Sequence, residues 1–99
     1  MNIVFHRLVS RDVREAMMYH RDVSGERLVG DFYEEFMAVL RAAADQPERF
    51  HLDASGLRRA SLKRFPFHFL YRIGRDSIRV LVLRHHRRSP EFGLGRSWL

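Results

Sequence analysis

The chain predicts an α+β fold, in which a helical hairpin packs on one face of a mostly antiparallel sheet in the order β-α-α-β-β-β. Three observations carry this reading. Phe67, Phe69, Tyr71 and Ile73 alternate with His68, Leu70 and Arg72, the period of a half-buried strand. Gly74-Arg75-Asp76-Ser77 then makes a turn into a second run, Ile78, Val80 and Val82 against Arg79, Leu81 and Leu83. Upstream, Leu28, Phe32, Phe36, Val39, Leu40 and Ala43 fall on one helical face, with Asp31, Glu34, Glu35 and Arg41 mostly off it.

Taken in order, Ile3-Val4-Phe5 is a short strand within Asn2–His6. Ser10 is expected to cap the helix that follows, with Asp12 and Glu15 near its positive end. Val9, Val13, Ala16, Met17 and His20 share one face, which puts His20 at the edge of the core. Val23-Ser24-Gly25 breaks the helix, and Ser24 is the expected cap of the second one. Pro47 stops that second helix, because proline lacks the N–H and clashes with the preceding turn. Glu48–Gly56 reads as a loop pinned by Phe50 and Leu52. A strand follows with Ala60 and Leu62 alternating against Arg59, Ser61 and Lys63, and Phe65-Pro66 ends its ladder. If Ile73 faces Ile78 across the turn, Tyr71 meets Val80 and Phe69 meets Val82 on the core side. The other face then collects His68, Leu70, Arg72, Arg79, Leu81, Leu83 and His85. Beyond Leu83 the chain is basic (Arg84 to Arg88), and Pro90, Gly93 and Gly95 make the tail irregular.

The 99 residues are read as one domain, residues 1–99, with a hydrophobic fraction of 45% that argues against disorder. Eighteen Lys and Arg against 12 Asp and Glu leave a net charge of +6, which favours a polyanionic or acidic partner. There is no cysteine, hence no disulfide framework and no thiolate chemistry. No apolar run approaches the roughly 18 residues of a membrane span. Arg7, Arg11 and Asp12 come too early for a secretory core, so a cytoplasmic protein without a membrane partner is expected. His85-His86 does not make a metal site, because neighbouring residues on a strand point to opposite faces. No cofactor is expected. A plain nucleic-acid-binding module would want aromatics on the exposed face, where Leu70, Leu81 and Leu83 are expected instead.

An ordered set of residues then resembles the RelE/ParE superfamily of type II toxin–antitoxin toxins, also described as plasmid-stabilisation proteins. The set is Phe32 and Phe36 followed by Pro47, Gly56-Leu57-Arg58, Leu62-Lys63-Arg64-Phe65-Pro66-Phe67, Tyr71, and His85 with Arg88-Ser89-Pro90. It spans essentially the whole chain, and no single motif in it is decisive. The resemblance implies the RelE/ParE-like fold and a small basic toxin held inactive by an acidic or amphipathic antitoxin, in a toxin–antitoxin hetero-oligomer. Its members divide between RelE-like ones, which cleave mRNA in the ribosome, and ParE-like ones, which inhibit DNA gyrase.

RNA cleavage needs a base for the 2′-hydroxyl, cations at the scissile phosphate and an acid for the leaving oxygen. If the chain is RelE-like, those roles fall to Lys63, Arg64, His68, His85 and Arg87. Two departures count against it. His68 stands where a RelE-like toxin has an arginine, and no tyrosine follows the last strand, so His85 or His86 would have to replace it. The Phe65-Pro66-Phe67 and Arg88-Ser89-Pro90 segments look more ParE-like, an activity that needs a shaped basic surface. Arg72, Arg79, Leu81, Leu83 and Arg88 are the expected contacts of the target or the antitoxin, with antitoxin carboxylates against Arg72 and Arg79.

Overall fold

The computed structural model describes residues 1–98, except for the side chains of Val23 and Ser24. The expected Ser24 cap therefore lies outside the described residues. Strand β1 spans Asn2–Phe5, helix α1 Val9–Ser24 and helix α2 Glu26–Asp45, followed by a 3₁₀ turn at Pro47–Arg49. Strands β2 (His51–Leu52), β3 (Arg58–Ser61), β4 (Phe67–Ile73) and β5 (Ser77–His85) complete a sheet of order β1-β5-β4-β3-β2. Only the β1–β5 pair is parallel.

The helical hairpin turns on one residue, Gly25, at φ +89°, a conformation that costs a residue with a Cβ but not glycine. Phe32, Phe36, Leu40 and Ala43 are buried as their spacing predicts. They pack on Ala60, Phe67, Phe69, Tyr71, Ile78 and Val80 from the sheet. The Tyr71 hydroxyl, fully buried, donates to the Pro47 carbonyl at 2.5 Å. Burial pushes this phenol up to about 12.

Three expectations at the ends of elements are corrected. Ser10 is not the cap of α1. The helix starts at Val9 with Leu8 in the cap position, two residues earlier, and its leading N–H groups go to His6 instead: Leu8 N–H to the ring Nδ1 at 3.1 Å and Val9 N–H to the carbonyl at 2.9 Å. His20 is a buried residue rather than an edge one, enclosed by the rings of Phe32, Phe65 and Phe67. The Glu48–Gly56 loop contains β2, which pairs His51 with Arg59 and Leu52 with Arg58. Phe50 packs on the core there, whereas Leu52 is 54% exposed and pins nothing.

The consequential correction is a β-bulge in β5. Ile73 pairs with Ile78 and Tyr71 with Val80, as expected, but Phe69 pairs with Leu83 and Leu70 with Val82. Leu81 is the extra residue, so β5 changes faces at Leu81–Val82. From there Leu83 and His85 turn toward the helices, and Val82, Arg84 and His86 turn to the opposite face. Leu83 belongs to the core cluster, and the His85 ring meets Phe67 edge-on at 5.1 Å.

That opposite face is not bare. Leu57, Leu70, Leu81 and Val82 form a second apolar cluster, covered by Phe92 and Leu94 of the chain's own tail. Gly93 makes this contact possible: at φ +85° its missing Cβ would stand 2.6 Å from a Val82 methyl. Arg96 then closes the tail onto α1. Its guanidinium meets the Asp12 carboxylate at 2.6 and 2.7 Å, with both side chains almost completely buried. The same two residues finish the edge of β5 where β1 runs out. Arg96 donates to the Leu81 carbonyl at 3.0 Å, and Asp12 accepts from the Leu83 N–H at 3.1 Å. Farther on, the Ser97 carbonyl meets His6 Nε2 at 2.6 Å, and Trp98 packs edge-on to the His6 ring.

Candidate functional site

The tail divides the open sheet face into two polar ends. At the end near the β4–β5 turn, Arg72 and Arg79 are direct cross-strand partners, and both are exposed. Like charges in that relation destabilise a sheet by a few tenths of a kcal/mol or more. Arg79 lies over the Trp98 ring at 5.4 Å, and among the described residues neither arginine has a carboxylate partner.

At the other end, β3, β4 and β5 bring together Arg59, His68, Arg84 and His86. Arg84 Nε donates to His68 Nε2 at 2.9 Å, and its Nη1 donates to the Pro90 and Phe92 carbonyls at 2.8 Å each. His68 Nδ1 and His86 Nδ1 stand 2.9 Å apart, in rings tilted by only 17° whose centroids are 5.1 Å apart. Centroids that far apart with nitrogens that close mean that the ring edges meet, not the faces. Arg59 reaches the same His86 nitrogen at 3.3 Å.

The arginines, which can only donate, settle the protons. His68 Nε2 must accept, so its proton is on Nδ1, and this donates to His86 Nδ1. His86 then carries its proton on Nε2. Both imidazoles are held neutral. The physics agrees: burial first, then the Arg59 and Arg84 charges, push His68 down to about 3, and His86 is lowered by burial and then Arg59. Neither ring keeps an unengaged lone pair to act as a base, and neither is an imidazolium able to act as an acid. The network borders a hollow of about 400 Å³ shared with Asp53, Arg88 and Glu91.

The five residues expected for RNA cleavage do not converge. His68 is in this network on the open face, while His85 is on the helix face against Phe67. Lys63 and Arg64 sit in the β3–β4 turn, where their backbone N–H groups donate to the Glu35 carboxylate of α2 at 2.8 and 3.2 Å. The Arg64 side chain pairs with Asp31 at 3.4 Å. Arg87 is exposed in the turn after β5. Of the expected partner contacts, Arg72 and Arg79 stand as described and Arg88 is exposed, 4.0 Å over the Phe92 ring. Leu81 is 6% exposed beneath the tail and Leu83 is 2% exposed beneath the helices, so neither is on an open surface. Strict alternation hid Arg84, which the bulge moves to the open face. The signal for Arg59 and His86 was their basic neighbourhood alone.

No protein-family profile matches the sequence, and no curated protein matches it. Among solved structures, the chain is similar to one of the chromosomal ParDE toxin–antitoxin system from P. aeruginosa. The likeness has a TM-score of 0.77 at 15% identity and covers 86% of this chain and 95% of that one. At that identity it establishes architecture: a helical hairpin on a mostly antiparallel sheet, the RelE/ParE-like fold.

Proposed function

We propose that the chain is the toxin of a type II toxin–antitoxin system, that it inhibits growth by binding its target rather than by cutting RNA, and that DNA gyrase is this target. The fold and the family-like residues support the toxin reading. The observation that carries binding over cleavage is the Arg84–His68–His86–Arg59 network, which engages the lone pairs of both His68 and His86. The ParE-like character of the Phe65-Pro66-Phe67 and Arg88-Ser89-Pro90 segments supports gyrase. A cytoplasmic setting follows from that target, and no helix among the described residues is long and apolar enough to cross a membrane. A cognate antitoxin neutralises the toxin in a hetero-oligomer, placing carboxylates against the unpaired Arg72 and Arg79. Leu81 joins that contact only if the antitoxin displaces the Phe92–Leu94 segment.

One observation favours the second reading, a RelE-like mRNA endonuclease. Arg59, His86 and Arg88 border a single hollow on the sheet, and a phosphate there would meet cations on two sides. In that case His86, not His85, is the working histidine. Two assays on the purified chain decide: supercoiling by gyrase, and mRNA cleavage on translating ribosomes. Inhibited supercoiling with intact mRNA is expected. Codon-positioned cleavage that disappears in His86→Ala would overturn the binding reading.

A further inference from the structure

A cavity of about 200 Å³ lies where α1 crosses the end of β5, with Ala16, Phe67 and Leu83 in its walls. One wall is the outer edge of β5, and the hydrogen-bond pattern shows what that edge presents. The Phe67 carbonyl accepts from the Leu62 N–H, so it faces β3. His85, its ladder partner, is therefore in a non-hydrogen-bonded pair. The backbone N–H and C=O of His85 point outward, away from β4, as do those of Leu83 two residues earlier. Strand β1 covers β5 only as far as Val80, so the edge beyond is without a neighbouring strand.

The fold engages most of this edge itself. Arg96 takes the Leu81 carbonyl and Asp12 takes the Leu83 N–H. At the far end the Arg88 N–H donates to the His85 carbonyl. Two adjoining groups remain, the Leu83 C=O and the His85 N–H, and among the described residues nothing bonds to either. Backbone groups beside apolar side chains are normally satisfied, so this pair asks for a partner. An extended peptide does not fit, because its chain would run into the Asp12–Arg96 pair at one end and the Arg87–Arg88 turn at the other. The His85 ring adds a third group. Its Nδ1 accepts from the Arg87 N–H at 3.0 Å, so its proton is on Nε2. Glu15 of α1 and Arg88 of the tail stand on the rim, both exposed and, among the described residues, without an ion-pair partner. The Asp12 carboxylate in the wall is already neutralised by Arg96.

We propose that this cavity binds a nucleoside monophosphate, with its base against the edge of β5. A nucleobase supplies what the edge lacks, a donor and an acceptor on neighbouring atoms of one plane. In adenine the exocyclic amino group donates to the Leu83 carbonyl, and the ring nitrogen beside it accepts from the His85 N–H. The volume suits a single ring system, well below the roughly 300–1,000 Å³ of sites for drug-sized ligands, and Ala16, Phe67 and Leu83 give the ring an apolar bed. The sugar and phosphate stay at the rim, where ribose hydroxyls donate to Glu15 and the phosphate meets Arg88. Leu83 and His85 turn toward the helices, away from the Arg84–His68–His86–Arg59 network, so this inference and the proposed function can fail separately.

The test is an NMR titration of the isotope-labelled full chain with adenosine monophosphate, read at the His85 backbone amide. A saturable downfield shift of that amide is expected. Two analogues each remove one bond of the base: one with a dimethylated amino group, one with carbon in place of the accepting ring nitrogen. Each should bind at least tenfold more weakly, the effect of losing one well-placed hydrogen bond. Adenosine without its phosphate should bind several-fold more weakly, as should the monophosphate to the Arg88→Ala variant, whose exposed position leaves the fold intact. An unmoved His85 amide at millimolar ligand overturns the proposal. So do analogues that bind as well as the parent, or inorganic phosphate that competes on equal terms, since either reduces the site to a patch for anions. An oligoadenylate that binds far more tightly than the monophosphate would assign the edge to nucleic acid and overturn it too.

Discussion

Removing either member of the Asp12–Arg96 pair should loosen the tail and destabilise the whole protein. The pair is almost completely buried, with both carboxylate oxygens bonded to the guanidinium. Deleting one partner of such a pair costs about 3–5 kcal/mol, because the other is left charged and uncompensated. Asp12→Ala also leaves the Leu83 N–H without an acceptor, a further ~1–3 kcal/mol where water does not reach it. Arg96 sits near the end of the tail and can swing out to solvent once its partner is gone, which offsets part of the loss. Arg96→Ala and Asp12→Ala should therefore both cost about 3–4 kcal/mol, a large share of the ~5–15 kcal/mol that holds a domain together. The double variant should cost clearly less than the sum, with a coupling of about 2 kcal/mol or more. Urea unfolding of the four proteins gives these values. Trp98, the single tryptophan, reports the tail separately, since its ring lies against His6 and Arg79 and its emission should shift to the red on release. Single variants that lose less than about 1 kcal/mol, with Trp98 emission unchanged, would refute the idea that this ion pair holds the tail.

Three further outcomes are expected. Gly93→Ala should cost about 2 kcal/mol or more in urea unfolding, from the left-handed backbone and the clash with Val82, with the same red shift of Trp98. Since His68 is pushed down to about 3 in the folded chain from an ordinary 6.5, the unfolded chain takes up its proton first. Stability should therefore be complete above pH 6.5 and fall as the pH drops toward 3, by about 2 kcal/mol at pH 5; a His68→Gln variant should flatten that profile in pH-dependent urea melts. Arg72→Glu should stabilise the free chain by roughly 0.5 kcal/mol, by turning a like-charge cross-strand pair into an opposite one. If the proposed toxin function holds, the same change should weaken binding of the cognate antitoxin in a calorimetric titration, and an unchanged affinity would remove Arg72 from that contact.

Elements that rest on a repeated pattern were legible in the sequence. The α2 stripe, the β4 alternation and the Gly74–Ser77 turn each repeat one signal over several residues, and each is present in the fold. What escaped depends on single events at a distance. Strand β2 is only two residues long and exists because Arg58 and Arg59 offer it an edge. The cap of α1 is an imidazole oriented by the Ser97 carbonyl, 91 positions away. The bulge at Leu81 matters most, because no local residue announces it. Leu81, Val82 and Leu83 are all apolar, so a strand through them can change faces without exposing a polar group to the core. That tolerance is also why an alternating reading of β5 holds from Ile78 to Leu81 and inverts from Val82 onward. The inversion moves Arg84 and His86 beside His68, and the candidate nuclease set dissolves as the neutral network forms. The bulge thus separates an alternating reading, in which His68 and His85 share one face, from the fold, in which His68 and His86 engage each other. Deleting Leu81 removes the bulge and leaves Tyr71 opposite Val80 and Leu70 opposite Val82 in regular alternation, so Arg84 and His86 should stay beside His68, and the variant should fold with some loss of stability and gain no mRNA-cleaving activity.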